Sequence, residues 1–243
     1  MDEGMGVEAV EKLKGLALSD VLFHQLDITD LSSIARLANF LNTQFGKLDI
    51  LFSLMDREQR LEWLWRNCRE TYDAAKEGLQ TNYYGTKHVI EALLPLLKAS
   101  DDGRIVNVSS DFGLLRHFTN EDLKQELDDV GKLTEARLDE LLDLFLRDFK
   151  AGRAEARGWP VAFTAYKVGK AAVNAYSRIL AAKHPALRVN CVHPGYVKSD
   201  ITLHSGLLAP EEGARNVVKV ALLPDGGVTG AFFEEGKELA SFV

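Results

Sequence analysis

Cysteine is almost missing from this chain: Cys68 and Cys191 are the only two in 243 residues. Two thiols so far apart make neither a disulfide framework nor a zinc site, so both are read as reduced, structural side chains and no metal is expected. Long apolar runs are missing too. No stretch of about 18 apolar residues appears, and the opening MDEGMGVEAVEKLK lacks the basic-then-apolar order of a signal peptide. The expectation is a cytoplasmic protein without a membrane span. Positive charge is in deficit, 29 Lys and Arg against 36 Asp and Glu, for a net charge of −7. With no basic excess to neutralise phosphates, a general affinity for nucleic acid or acidic membrane surfaces is not expected. Internal repeats, low-complexity segments and convincing linkers are absent as well. What is present, 46% hydrophobic and 27% charged residues, suffices for one sizeable core, and a single α/β domain over 1–243 is expected.

The hydrophobic pattern alternates between helix and strand. Val7, Val10, Leu13 and Leu16 recur at helical spacing, and Val21 to Leu26 reads as a short strand closed by Asp27. Asp30 then caps a helix that turns Ile34, Leu37, Phe40 and Leu41 inward. LDILFSL, from Leu48, suits a strand covered on both faces. A helical region follows from about Arg69 to Leu97, then the strand Gly103 to Val108. Between Thr119 and Arg153 the chain is acidic and leucine-spaced, as expected of amphipathic helices laid on the domain. The strand Leu187 to Val192, a helix from Ala209 to Leu223 with Pro210 in its first turn, and a short apolar strand in VTGAFFEEG complete the order. Strands alternating with helices indicate a parallel sheet.

On this frame sit three chemically suggestive groups. Tyr166 and Lys170, four apart on a helix, share one face. A nearby ammonium favours the phenolate and lowers a tyrosine pKa, which suits Tyr166 to giving a proton to a developing alkoxide near neutral pH. Alone, the pair reads more readily as a helix with one exposed tyrosine and one solvated lysine, and only its neighbours shift that balance. Ser109 and Ser110 end a strand at the sheet edge where parallel α/β folds bind ligands, though a turn serine would look the same. Pro194 and Gly195 stop the next strand, where proline cannot donate to a ladder and glycine permits close backbone approach to a flat ring. A plain turn is the other reading.

With Asn82, Ser110, Tyr166, Lys170 and Pro194-Gly195 placed, the chain resembles the short-chain dehydrogenase/reductase family. The resemblance is closest to its monomeric carbonyl-reductase branch, which includes salutaridine-reductase-like and menthone or neomenthol dehydrogenase-like enzymes. HQLDITD, LDIL, TNYYGTKHV, GRIVNVSSDFG, GWP, AYKVGKAAVNAYSR and VNCVHPGYVKSD fall in family order. Ser110 and Tyr166 stand 56 positions apart, wider than is usual in the family, and the Thr119 to Arg153 segment resembles the extra helices of the monomeric branch. The resemblance implies a Rossmann-like, doubly wound, three-layer parallel sheet and a monomer. It also implies NADP as cofactor, a small carbonyl or alcohol as substrate, and hydride transfer between nicotinamide and carbonyl carbon. By the same resemblance Tyr166 would protonate the carbonyl oxygen and Lys170 would tune Tyr166 and hold the nicotinamide ribose. Ser110 would hydrogen-bond that oxygen, and Asn82 would hold a relay water. Asp27 would meet the adenine, and Pro194, Gly195, Val197 and Ser199 would flank the nicotinamide, with Ser199 where threonine is commoner. The pocket would be walled by the Thr119 to Arg153 segment and the loop from Tyr196 to Gly206.

Two departures from the family pattern stand out. The strand, glycine-rich turn and helix that open the family, and which would cradle the pyrophosphate, have no counterpart here, so the fold is expected to be incomplete at its N-terminus. The Asn-Asn-Ala-Gly turn after LDIL is replaced by Phe52-Ser53-Leu54-Met55. The Val21 strand is therefore expected either to detach or to slide across to the Leu48 strand. A catalytically impaired or non-catalytic paralogue or isoform, unable to bind the dinucleotide normally, is the alternative to an active reductase.

Overall fold

The computed structural model describes residues 3–15, 18, 20–53, 71–161, 163–202, 206–224, 226–239 and 241–242. Two helices come first, α1 (Glu3–Gly15) and α2 (Leu31–Phe45). Asp30 caps α2 by accepting from the Ser32 N–H, and Gly46 closes it in the left-handed conformation at φ 69°. Strand β1 (Ile50–Ser53) leads to α3 (Tyr72–Leu79), which is capped by Thr71 and runs through a π-helical turn, Gln80–Gly85, into α4 (Thr86–Lys98). After β2 (Arg104–Val108) come α5 (Glu121–Asp128) and α6 (Glu135–Lys150), capped by Asn120 and Thr134. The remaining elements are α7 (Thr164–Lys183), β3 (Arg188–His193), α8 (Pro210–Ala221), β4 (Phe232–Glu234) and β5 (Lys237–Glu238).

The five strands lie in the order β1-β2-β3-β4-β5; the first four are parallel and β5 returns antiparallel. Alternate residues of the central strands bury both faces, which gives the layering. Ile105 and Val189 point into a large cluster with Leu79 and Tyr83, Leu97 of α4, Leu141 and Phe145 of α6, and Val168 and Tyr176 of α7. Val106, Val192 and Phe233 point the other way, onto Val220 and Ala221 of α8. The parallel sheet expected from the alternating pattern and the Rossmann-like α/β architecture implied by the resemblance are both present, with helices on both sides of a mostly parallel sheet. Among the described residues no helix is long and apolar enough to cross a membrane.

One expected element differs. Residues 21–27 have no regular secondary structure and form no ladder among the described residues, so the Val21 to Leu26 strand is not a member of the sheet. Of the two outcomes expected for it, detachment is the one observed. Its apolar side chains are used otherwise: Leu26 and Ile28 pack with Ile34 of α2 and with Val89 and Leu93 of α4. Phe23 lies against α1, so closely that a Cβ on Gly6 would come within 2.2 Å of its ring. Residues 54–70, which include Cys68, Leu54, Met55 and the start of the helical region placed at Arg69, lie outside the described residues. Cys191 is a free, fully buried thiol, pushed up to about 12 by burial, as fits a structural role.

At the amino-terminal ends of β2 and β3, Asp102 pairs with both Arg104 and Arg188. The same two guanidinium groups donate to the carbonyls of Ala221, Leu223 and Pro224, which ties the end of α8 to the sheet. The opposite end, where β2 and β3 finish, is where the chemically suggestive residues gather.

Candidate active site

The carboxyl ends of β2 and β3 are held side by side, with the Ser109 N–H donating to the Val192 carbonyl at 2.8 Å. Directly after β2, Ser110 caps a single 3₁₀ turn, Asp111–Gly113, its Oγ accepting from the Phe112 N–H at 3.2 Å. This turn is pressed onto α7. A Cβ on Gly113 would stand 2.8 Å from the Lys170 carbonyl carbon and equally close to Asn174 Nδ2, so only glycine permits the approach. Asn174 Nδ2 fastens the turn by donating to the Gly113 carbonyl at 3.0 Å.

The helix that receives the turn carries Tyr166 and Lys170 on that face. Lys170 is buried, donates from Nζ to the Val108 carbonyl at 3.0 Å, and holds its ammonium 5.7 Å from the centre of the Tyr166 ring. Tyr166 meets the Phe112 ring edge to face at 6.1 Å. Ser110, Tyr166 and Lys170, distant in sequence, are thus brought into one cluster by α7, the end of β2 and the turn between them.

Asn82 joins them where the preceding helix packs on α7 at Gly169. It lies in the π-helical turn, a widening that recurs at functional sites. Its Cβ is 3.4 Å from where a Cβ on Gly169 would stand, one residue from Lys170. Its Nδ2 donates to the Gly78 carbonyl at 2.9 Å, while Oδ1, fully buried, has no protein partner. A buried acceptor of this kind calls for water or a ligand donor.

Pro194 and Gly195 follow β3, and Gly195 has φ 97°, a conformation that favours glycine. The Pro194 carbonyl accepts from Asn216 Nδ2 of α8 at 3.0 Å. Val197 bridges to Leu208, and Thr202 Oγ1 lies 2.7 and 2.9 Å from the Val197 and Ser199 carbonyls, which share its one hydrogen, while receiving the Ser199 N–H. The loop is thereby set by its own backbone, although residues 203–205 lie outside the described residues. Asp27 is exposed and engaged locally: its Oδ1 accepts from Thr29 N–H at 2.8 Å and Thr29 Oγ1 at 2.6 Å, bonds that hold its carboxyl below the usual range. Among the described residues no contact ties it to the Tyr166 cluster; its neighbour Ile28 packs on Gly85, at the end of the π turn.

A second group beside Ser110 escaped the sequence reading. Ser110 Oγ donates to Asp111 Oδ1 at 3.2 Å, the same oxygen lies 3.9 Å from His193 Nε2, and Arg116 approaches Asp111 Oδ2 at 3.7 Å. Burial keeps His193 below the ordinary histidine value, Asp111, Glu234 and Glu235 opposing that shift and Arg116 adding to it. His117 is likewise lowered, first by burial. Phe163, the residue before α7, has φ 51° and stacks on Phe112 at 6.1 Å. The one sequence signal was the acid adjacent to the serine; the contacts with His193 and Arg116 cross between segments and have no local pattern.

The family model described as short chain dehydrogenase matches residues 2–120. Short-chain dehydrogenase/reductase 1 of Saponaria officinalis is 47% identical over 96% of this chain and 83% of its own length. Carbonyl reductase (NADPH) 1 of Bos taurus is 36% identical over 96% of this chain and 84% of its own. Among solved structures, salutaridine reductase from Papaver somniferum superposes with a TM-score of 0.85 at 42% identity, covering 96% of this chain and 88% of that one.

Proposed function

The chain belongs to the short-chain dehydrogenase family, and on that premise we propose that it is an NADP-dependent oxidoreductase interconverting a ketone or aldehyde and an alcohol. The observation that carries this reading is the placement of the Lys170 ammonium 5.7 Å from the Tyr166 ring, with the Ser110 turn clamped on the same helix. The family uses a nicotinamide dinucleotide, and the NADPH in the name of the bovine relative supports the phosphorylated form.

The residues present suit the nicotinamide half of such a cofactor. Lys170 offers an ammonium to ribose hydroxyls, and Pro194, Gly195, Val197 and Ser199 offer a backbone-set wall at the strand ends where α/β folds bind ligands. Asp27 is assigned to the adenine. When bound, the dinucleotide supplies or accepts the hydride.

The chain's own residues do the rest. Tyr166 gives its phenolic proton to the carbonyl oxygen as that oxygen gains charge, and takes one back in the reverse direction. Lys170 favours the phenolate by its charge. Ser110 donates a hydrogen bond to the same oxygen, worth most when the oxygen is most negative. Asn82 holds a water at its unpartnered Oδ1 and so passes protons towards Lys170.

We further propose a monomer, because α5 and α6 cover the flank of α3, α4 and α7. Lys87 of α4 donates to Asp139 of α6 at 2.8 Å and stands 3.9 Å from Glu135, and Tyr83 donates to Asp139 at 2.9 Å.

The deciding experiment is a titration with NADPH followed by a carbonyl-compound screen monitored by NADPH oxidation. Binding tighter than about 100 μM, roughly 5.5 kcal/mol, together with turnover that falls by about 10²–10⁴ in Tyr166→Phe, is expected. A folded chain that neither binds NADPH nor oxidises it with any carbonyl compound would overturn the reading.

A further inference from the structure

We propose that Asp111 is a positioning residue that holds the Ser110 hydroxyl hydrogen and releases it as His193 becomes protonated. Its catalytic consequence rests on the reductase reading; the coupling between the three side chains does not.

Ser110 Oγ carries one hydrogen. In this structure it goes to Asp111 Oδ1, while a lone pair is occupied by the Phe112 N–H. A hydroxyl whose hydrogen is given to a carboxylate has none to give to a substrate carbonyl, and a carboxylate is the stronger acceptor. The hold therefore has to be loosened before Ser110 can support negative charge on the substrate oxygen.

The structure supplies the competitor. His193 Nε2, at the end of β3, faces the same Oδ1 at 3.9 Å. The other charged groups that face the ring are Arg116, from the 3₁₀ turn Leu115–His117, and Glu234 and Glu235, at the end of β4. A neutral imidazole has little claim on a carboxylate; an imidazolium has a strong one. Protonation draws Oδ1 towards His193, and the Ser110 hydrogen is surrendered. Arg116 sits on the other oxygen, Oδ2, at 3.7 Å and keeps the carboxylate in place without competing for Oδ1.

Because two groups share one oxygen, the coupling is reciprocal: whatever weakens the Ser110 bond strengthens the His193 pair, and the reverse. This yields a test that needs no substrate. The His193 ring protons are titrated by NMR in the wild type, Ser110→Ala and Asp111→Asn. The midpoint is expected to rise in Ser110→Ala, where the whole of Oδ1 is left to His193, and to fall in Asp111→Asn. Identical midpoints in all three proteins overturn the proposal.

With a turned-over carbonyl compound in hand, kcat/KM for Asp111→Asn is expected to rise by roughly threefold to tenfold at neutral pH. Its gain over the wild type should shrink as the pH falls and His193 takes up its proton. The same substitution in a Ser110→Ala background is expected to change kcat/KM little. An equal effect in both backgrounds would show that Asp111 acts through its field and not through Ser110, and would overturn the proposal. Shifted midpoints without turnover of any carbonyl compound would leave the hydroxyl coupling standing and remove the reductase reading.

Discussion

Gly113 does as much for the cluster as any side chain. It brings the backbone behind Ser110 within van der Waals reach of Lys170, and Asn174 locks it there. Adding one methyl group must push the turn off α7, at a cost of about 1–3 kcal/mol for overpacking a tight site. Gly113→Ala is therefore expected to lower the urea midpoint, and to lower kcat proportionally more than it weakens NADPH binding, because it moves Ser110 relative to Tyr166. Equal losses in kcat and in cofactor affinity would argue against that geometry. At this scale the sequence was most informative where chemistry depends on spacing within one element. Tyr166 and Lys170 were legible because four positions on a helix define a shared face. A strand-ending position drew attention to Ser109 and Ser110 alike, and only the family resemblance singled out Ser110. The parts played by Gly113, Asn174 and Asp111 were not, since each depends on what a distant element places opposite it.

Helix α6 illustrates the same limit in an element. Its leucine spacing correctly indicated an amphipathic helix, yet that spacing says nothing of Glu135 and Asp139, which reach buried Lys87. Two tyrosines, Tyr83 and Tyr176, also present their rings to that ammonium at 5.8 and 5.9 Å. Burial, reinforced by nearby carboxylates, raises both phenols above the usual tyrosine range, so they stay protonated. Asp139→Asn is expected to cost about 2–4 kcal/mol in chemical denaturation, since Lys87 loses its nearest charge partner inside the fold. Changing both partners together, to Met and Leu, should cost much less than that. The Val21 to Leu26 segment makes the complementary point. Its residues carry a strand pattern, but a strand is completed by a neighbour and the local sequence cannot say whether one is there.

The whole molecule is built to be sensitive to acid in two windows. His117, His184 and His193 all lie below the ordinary histidine value of 6.5, burial being the largest cause in each. The folded chain thus binds these protons less readily than the unfolded one. The stability this confers is complete above pH 6.5 and is lost as the pH falls through the lowered values. Asp27, Asp30, Asp49, Asp102 and Asp129 are held below their usual range by hydrogen bonds, which adds a second loss beneath pH 3.8. Thermal melts are expected to show the midpoint dropping first as the pH falls below about 6.5 and again in strong acid. A midpoint that stays flat as the pH falls below 6.5 would contradict the lowered proton affinity of the three partly buried rings. Light scattering should return a mass near 27.0 kDa, the monomer; twice that mass would mean that α5 and α6 do not seal the flank they cover.

The π-helical turn at Gln80–Gly85 has a consequence for insertions and deletions. A π turn behaves as one residue inserted into an α-helix, so everything after it is rotated by about 100° relative to an uninterrupted α3. Ile90 and Leu97 face the core only in that shifted phase. Deleting a single residue there would give the backbone a more regular ladder and would still be ruinous, because it would swing both side chains off the core and turn Lys87 away from Asp139. The irregularity is a phase adjustment, and lineages of this chain should tolerate substitutions around Asn82 far better than any change in the length of that turn.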